Sequence, residues 1–454
     1  GYVLYYEIVR FRLIAPEVHA KRNVKGAHAM RNRLAISLAA ALAVTGFSPA
    51  HTAPAASDAG KDSQTFYTSA IGPGLDNLSL DDDYAQYQWA LKNDGNLSQT
   101  EQKLNFESLD DAYVRRDGRR VAAIALPPLG PSNFSSIKTQ AYPGIDINIR
   151  DAWSRYDSLE NKRPVTIALI DTGVDISHPE LQNAIWTNAD EIPDDGIDND
   201  GNGYIDDVHG WNFLANTNQI YVGREDVHGT HAAGTIAASK NDGGIMGITD
   251  NNYVKIMVLK ALGGDEGSGS PESVISAIRY AEANGAQICN LSFGSREVTQ
   301  EFMDTIKNSS MLFVVSAGNG DIYEIGYDID KYPVYPASLP YDNVLTVANL
   351  LFDGSLDDSS NYGPYNVDIA APGTMILSTV PENSYGFMSG TSMAAPMVTA
   401  AAAMVYSARP EADLLTVKNI LIYSAHKLAP LKGLMLSSGM LDVSAAMTWG
   451  LANP

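Results

Sequence analysis

From about residue 160 onward, short apolar runs alternate with longer stretches of helical period. Strands buried on both faces lose the polar alternation of a half-exposed strand, so this pattern predicts a parallel sheet covered by helices. The expected strands are Val165–Ile170, Ile256–Leu259, Gln287–Phe293, Met311–Val315 and Val344–Val347. Pro271–Asn284 carries Val274, Ile275, Ile278 and Ala281 near helical spacing, with Gly285 where a helix stops. Asp413–Ala425 reads as a late amphipathic helix. Met393–Ser407 reads as an alanine-rich helix broken only by Pro396, in an early turn where a missing N–H has no intrahelical partner. There is no internal repeat and no coiled coil. Residues 56–150 are less regular: Ser57–Asp83 is polar and acidic, and Pro127-Pro128-Leu129-Gly130-Pro131 interrupts a charged stretch. A linker, a removable prosegment and an elaborated arm all fit that composition.

Length and charge narrow the class. A chain of 454 residues has room for one large α/β domain with additional segments. From Met30, basic Arg31 and Arg33 precede an apolar Leu34–Phe47 and small residues around Ala50, Ala53 and Ala55, the pattern of a secretory signal peptide. An ordinary N-terminal helix is the alternative, and residues 1–29 are an odd context for a signal, which suggests a start assigned too far upstream. Without residues 1–55 the chain has 24 Lys/Arg against 51 Asp/Glu, a formal charge of −27. Such a balance disfavours nucleic acid and anionic membranes and suits a soluble exported protein that binds cations. Cys289 is the only cysteine, so no internal disulfide forms; its apolar surroundings make it a small core residue.

Four segments carry candidate chemistry. Ile167–Ile170 ends in Asp171-Thr172-Gly173, a carboxylate at the carboxyl end of a buried strand, where open α/β sheets place their sites. That aspartate also suits a plain turn cap. Asp226-Val227-His228-Gly229-Thr230-His231 sets a histidine at a helix start; two histidines three apart also suit a metal, though no further Cys/His cluster completes one. Gly390-Thr391-Ser392 displays a hydroxyl at a helix mouth, where backbone N–H groups and the helix dipole stabilise negative charge. Ser316-Ala317-Gly318-Asn319-Gly320 delivers an amide into a glycine-flanked loop, either a turn signal or an oxyanion donor. Together they supply orienter, base, nucleophile and oxyanion donor for acyl transfer.

In this order the motifs Asp-Thr-Gly, His-Gly-Thr-His-Ala-Ala-Gly-Thr, Ser-Ala-Gly-Asn-Gly and Gly-Thr-Ser-Met-Ala-Ala-Pro resemble those of the subtilisin-like serine endopeptidases, over roughly residues 145–450. The resemblance implies a three-layer α/β fold with a mostly parallel central sheet. It also implies that Asp171 orients His228, that His228 takes the Ser392 proton, and that Asn319 with the Ser392 N–H forms the oxyanion hole. His231 is then structural. Expected organisation is residues 1–29 upstream, 30–55 signal peptide, 56–80 linker or short prosegment, 81–150 an N-terminal arm with an insertion, and 151–454 the peptidase domain. A monomer acting on protein or peptide substrates is the expected working form, with no nucleic-acid or membrane partner.

By the same resemblance an extended peptide would bind as an added strand between Gly267-Ser268-Gly269 and Leu291-Ser292-Phe293-Gly294, with Ala317 and Gly318 lining the first specificity pocket. Asp198-Asn199-Asp200-Gly201-Asn202-Gly203-Tyr204-Ile205-Asp206 spaces oxygen ligands like an EF-hand calcium loop, except that His209 stands where the bidentate glutamate belongs. Asp198, Asp200, Asn202, the Tyr204 carbonyl and Asp206 are the expected ligands of a structural calcium; an acidic solvated loop is the alternative. Glu180 and Asn241 fall where subtilisins bind a second calcium, although aspartate is the familiar residue at the first of these positions. No catalytic cofactor is expected.

Overall fold

The computed structural model describes residues 85–95 and 141–450, apart from 241–242, 265–266, 322 and 324. In chain order its main elements begin with α1 (Ile149–Asp157), β1 (Val165–Asp171), β2 (Gly210–Asn212), α2 (Val227–Ala237) and β3 (Val254–Lys260). They continue with α3 (Pro271–Ala283), β4 (Ile288–Leu291), α4 (Gln300–Asn308), β5 (Leu312–Ser316), β6 (Val344–Leu350) and β7 (Ile369–Pro372). The hairpin β8 (Ile376–Val380) and β9 (Ser384–Met388) precedes α5 (Thr391–Ala408), α6 (Leu414–Ser424), β10 (His426–Lys427), β11 (Gly439–Met440) and α7 (Val443–Thr448).

One sheet runs in the order β10-β11-β7-β6-β5-β4-β1-β3-β2, parallel throughout except for the β10–β11 pair. Parallel neighbours need crossovers, and the helices that supply them cover the sheet. α2 and α5 pack on each other and on the sheet, while α3 pairs with α4 over β1 and β3. Strands β4 to β7 are buried along their whole length, which is why they read as unbroken apolar runs. Helix α5 is buried on nearly every side, and its alanines let it lie close beneath β1 and β4 to β7.

Local signals mark the helix ends. Ser270 caps α3 through Ser273 N at 3.1 Å with Pro271 in the first position, and Asp413 caps α6 through Thr416 N at 2.7 Å. Strand β4 ends at Leu291, earlier than the apolar run predicts, because Ser292 turns out of the sheet to bond with Ser392. Residues 85–95 dock on the body: Gln88 exchanges two hydrogen bonds with the Met246 backbone at 2.8 and 2.9 Å, and Trp89 Nε1 donates to Thr374 O at 2.9 Å.

Candidate active site

Asp171 ends β1 at the carboxyl edge of the sheet and is fully buried. His228 opens α2, and its Nδ1 lies 2.8 and 2.9 Å from the two Asp171 carboxylate oxygens. A carboxylate only accepts, so Nδ1 carries the hydrogen, and in the neutral ring the lone pair is on Nε2. Thr172 supports the pair from below: its N–H donates to Asp171 Oδ1 at 2.7 Å, and its hydroxyl accepts Gly229 N–H at 3.1 Å. Two glycines allow this approach. A Cβ on Gly229 would overlap the Gly173 carbonyl, and one on Gly173, whose φ is +111°, would overlap Ile220 O and lie 2.9 Å from Asp226 Oδ1.

Ser392 is the second residue of α5, so its N–H precedes the intrahelical ladder. Its hydroxyl donates to Ser292 O at 3.0 Å, and its carbonyl accepts the Ser292 hydroxyl at 3.1 Å. The second bond corrects the expectation for Pro396, which is the sixth residue of α5 and not in its first turn. An N–H at that position would bond Ser392 O; proline has none, and Ser292 supplies the donor instead. Ser292 is held in turn by Asn290 Nδ2 at 2.9 Å, and Asn290 Oδ1 accepts the Thr399 hydroxyl at 2.8 Å. All four side chains are buried. Sequence reasoning gave no role to Asn290, the Ser292 hydroxyl or Thr399; the proline five residues from the amino end of the helix was the available signal.

Asn319 follows β5 and faces the start of α5. Its Oδ1 accepts Thr391 N–H at 2.8 Å and the Thr391 hydroxyl at 2.9 Å, while Nδ2 lies 3.0 Å from where a Cβ on Gly390 would stand. The sheet therefore brings Asp171, His228, Ser392 and Asn319 to the carboxyl ends of its central strands. His231, one turn along α2, points elsewhere: its Nε2 donates to Ile376 O at 2.8 Å, and burial brings its pKa down to about 3, so it stays neutral.

The expected substrate segments leave the sheet on either side of β1. Gly267 and Ser268 close a turn in which Gly263 and Ser268 exchange backbone bonds of 3.0 and 2.9 Å, and Gly269 packs on Ala261 O. Leu291 is a buried residue of β4, and Ser292, Phe293 and Gly294 follow it, all buried. Ala317 and Gly318 are buried beside them, with the Ala317 carbonyl accepting Asn361 Nδ2 at 3.0 Å and Gly318 N–H donating to the Thr391 hydroxyl at 3.1 Å.

In the acidic loop, Asp198 and Asp200 gather with Glu191, with ligand oxygens within 4.8 Å of one another. Glu191 escaped the sequence reading; the acidic pair Asp190-Glu191 just before the loop was its only trace. Asn202 lies beside them, its Nδ2 bonded to Asp200 at 2.9 Å. Asp206 turns away and accepts the backbone N–H groups of Asp195 and Gly196, each at 3.1 Å, and the Tyr204 ring joins Trp211, Phe213 and Tyr280. The Gly203 N–H, with other backbone donors, holds the exposed Asp198 carboxyl below its ordinary range. Three carboxylates with amide oxygens nearby form a hard oxygen donor set that fits calcium. Glu180 is buried and accepts the Tyr385 hydroxyl at 2.7 Å; Asn241 lies outside the described residues.

A family model described as the subtilase family matches residues 162–440. The major intracellular serine protease of Bacillus subtilis (strain 168) is 36% identical over 251 residues, covering 54% of this chain and 70% of that protein. Subtilisin-like protease 1 of Plasmodium falciparum (isolate 3D7) is 33% identical over 324 residues, 67% of this chain and 46% of the relative. Among solved structures, a cold adapted subtilisin-like serine proteinase matches with a TM-score of 0.47 at 24% identity, covering 62% of this chain and 89% of that one. The chain belongs to the subtilase family. It spans about half the length of the first Plasmodium relatives, 46% and 53%.

Proposed function

We propose that this chain is a serine endopeptidase that hydrolyses peptide bonds through Ser392, His228 and Asp171. The observation that carries the reading is the buried Asp171–His228 pair, which leaves the Nε2 lone pair to take a proton, at the same sheet edge as a helix-mouth serine and an oriented amide donor. The Ser392 hydroxyl turns from Ser292 O toward His228, gives up its proton to Nε2 and attacks the carbonyl carbon. Negative charge collects on the former carbonyl oxygen, where Asn319 Nδ2 and the Ser392 N–H receive it. His228 passes the proton to the leaving amine, and water then releases the acyl group by the same route.

Extended substrate would add as a strand between residues 267–269 and 291–294, main-chain bonds supplying affinity, and Gly320, which brings no side-chain charge near the first pocket, suits a broad or apolar preference. Purified Ser392→Ala should hydrolyse no casein and resist a fluorophosphonate that labels wild type; undiminished cleavage by this variant ends the assignment. Calcium would be held by Glu191, Asp198 and Asp200 as a structural ion that offsets part of the loop's negative charge. Chelation should lower the melting temperature and open residues 190–207 to proteolysis, and Glu191→Gln should weaken the calcium response. The Met30–Ala55 pattern supports export, tested by the amino terminus of protein recovered from the medium.

A further inference from the structure

Lys260, the last residue of β3, is 2% exposed and lies opposite Asp171 in the β1–β3 register. Its ammonium bonds four partners: Thr172 O at 2.5 Å, Asp226 Oδ1 at 2.6 Å, Glu225 Oε1 at 2.9 Å and Leu262 O at 3.4 Å. Each partner lies on an element of the site. Thr172 is the residue whose N–H fixes Asp171, and Asp226 precedes His228 by two positions. Leu262 begins the turn that leads to residues 267–269, and a Cβ on Gly263 would stand 3.2 Å from the ammonium.

Asp226 is equally committed. Its second oxygen accepts the N–H groups of Val222 and Gly223 at 2.6 and 3.3 Å, and its carbonyl takes the Thr230 hydroxyl at 2.8 Å, one turn into α2. The carboxylate thus ties the amino end of the His228 helix to the ammonium, while the Thr172 carbonyl ties the strand end of Asp171 to it. Burying such a pair carries a desolvation cost, and an apolar pair of equal volume commonly gives equal or greater stability. Directional bonds are what an apolar pair cannot replace.

We propose that Lys260 and Asp226 are positioning residues that hold Asp171 and His228 in register with each other and with the substrate edge. The proposal rests on the peptidase reading for its kinetic consequence but not for its geometric one. Two variants and two readouts test it. Lys260→Met alone strands a buried carboxylate and should melt far below wild type. Lys260→Met with Asp226→Asn removes both charges, keeps an acceptor for Val222 and Gly223, and should recover most of the melting temperature. Its kcat should remain about 10- to 100-fold low, since small misplacements of reacting groups have effects of that size. The downfield proton resonance of His228 Nδ1–H, shared with Asp171, should shift or broaden.

Wild-type kcat together with an unmoved resonance in the double variant overturns the positioning role and leaves the peptidase reading standing. A wild-type protein that cleaves nothing, with a resonance that still moves in the variant, does the reverse. If the double variant fails to fold, isosteric Asp226→Asn serves instead: reduced kcat and a shifted resonance are expected, and unchanged values of both refute the proposal.

Discussion

Asn319 can face only one way. Thr391 N–H is an obligate donor, so the atom it meets must be Oδ1, and Nδ2 is thereby committed to the opposite side, next to Gly390. Asn319→Ala should lower kcat by about 100- to 1,000-fold with a smaller effect on KM, magnitudes established for the corresponding asparagine of a subtilisin. Steady-state kinetics on one peptide decide it. His231 makes a different prediction. Its neutral ring is buried and its pKa is brought down to about 3, whereas in the unfolded chain it titrates near 6.5. Below about pH 6.5 the unfolded state binds the proton and the folded state does not, so stability falls by about 1.4 kcal/mol per pH unit toward pH 3. Above that window His231 contributes no pH dependence. Urea unfolding from pH 4 to 8 in the Ser392→Ala background, with and without His231→Gln, should show a shallower acid slope in the His231 variant.

Helix α5 depends on the residue that follows β4, Ser292, for the bond that Pro396 denies it. Ser292→Ala removes the donor to Ser392 O and the acceptor of Asn290 Nδ2, and should destabilise by about 1–3 kcal/mol. Adding Pro396→Ala restores an N–H one turn beyond Ser392 O and should return part of the loss. Urea unfolding of single and double variants, again with Ser392→Ala to prevent self-digestion, checks this; no recovery refutes the account of the carbonyl. The elements themselves were largely legible. Apolar runs located β1 and β3 to β6, and helical spacing from Pro271 and from Asp413 located α3 and α6. The Asp171, His228, Asn319 and Ser392 motifs were legible because each couples a reactive side chain to local glycine geometry. Ser292, Asn290 and Thr399 were not, since their partners lie about 100 residues away in sequence. Lys260 was hidden for a related reason: only the parallel register sets it opposite Asp171. Glu191 was missed because the loop folds back on a residue outside the ligand spacing.

At the scale of the molecule, the chain on either side of residues 96–140 is sewn together. Gly144 N–H donates to Asn93 O at 2.8 Å and Ile147 N–H to Ala90 O at 2.9 Å, so the described residues on the two sides of that segment lie side by side. Replacing residues 96–140 by a six-residue Gly/Ser linker should keep the melting temperature within about 5 °C, because the closure entropy of a loop varies slowly with its length. A larger fall would assign that segment a share of the stability.

Helix α5 carries one more consequence. It lies against β1 and β4 to β7, and the serine at its mouth stands at the same sheet edge as an aspartate and a histidine that precede it by 221 and 164 residues. No local segment can assemble these groups, so hydrolytic competence must arrive late in folding, after the most distant contacts have closed. On the peptidase reading, newly made copies would then be harmless to one another while most of their backbone is still open to cleavage, and would become dangerous only once they are themselves resistant.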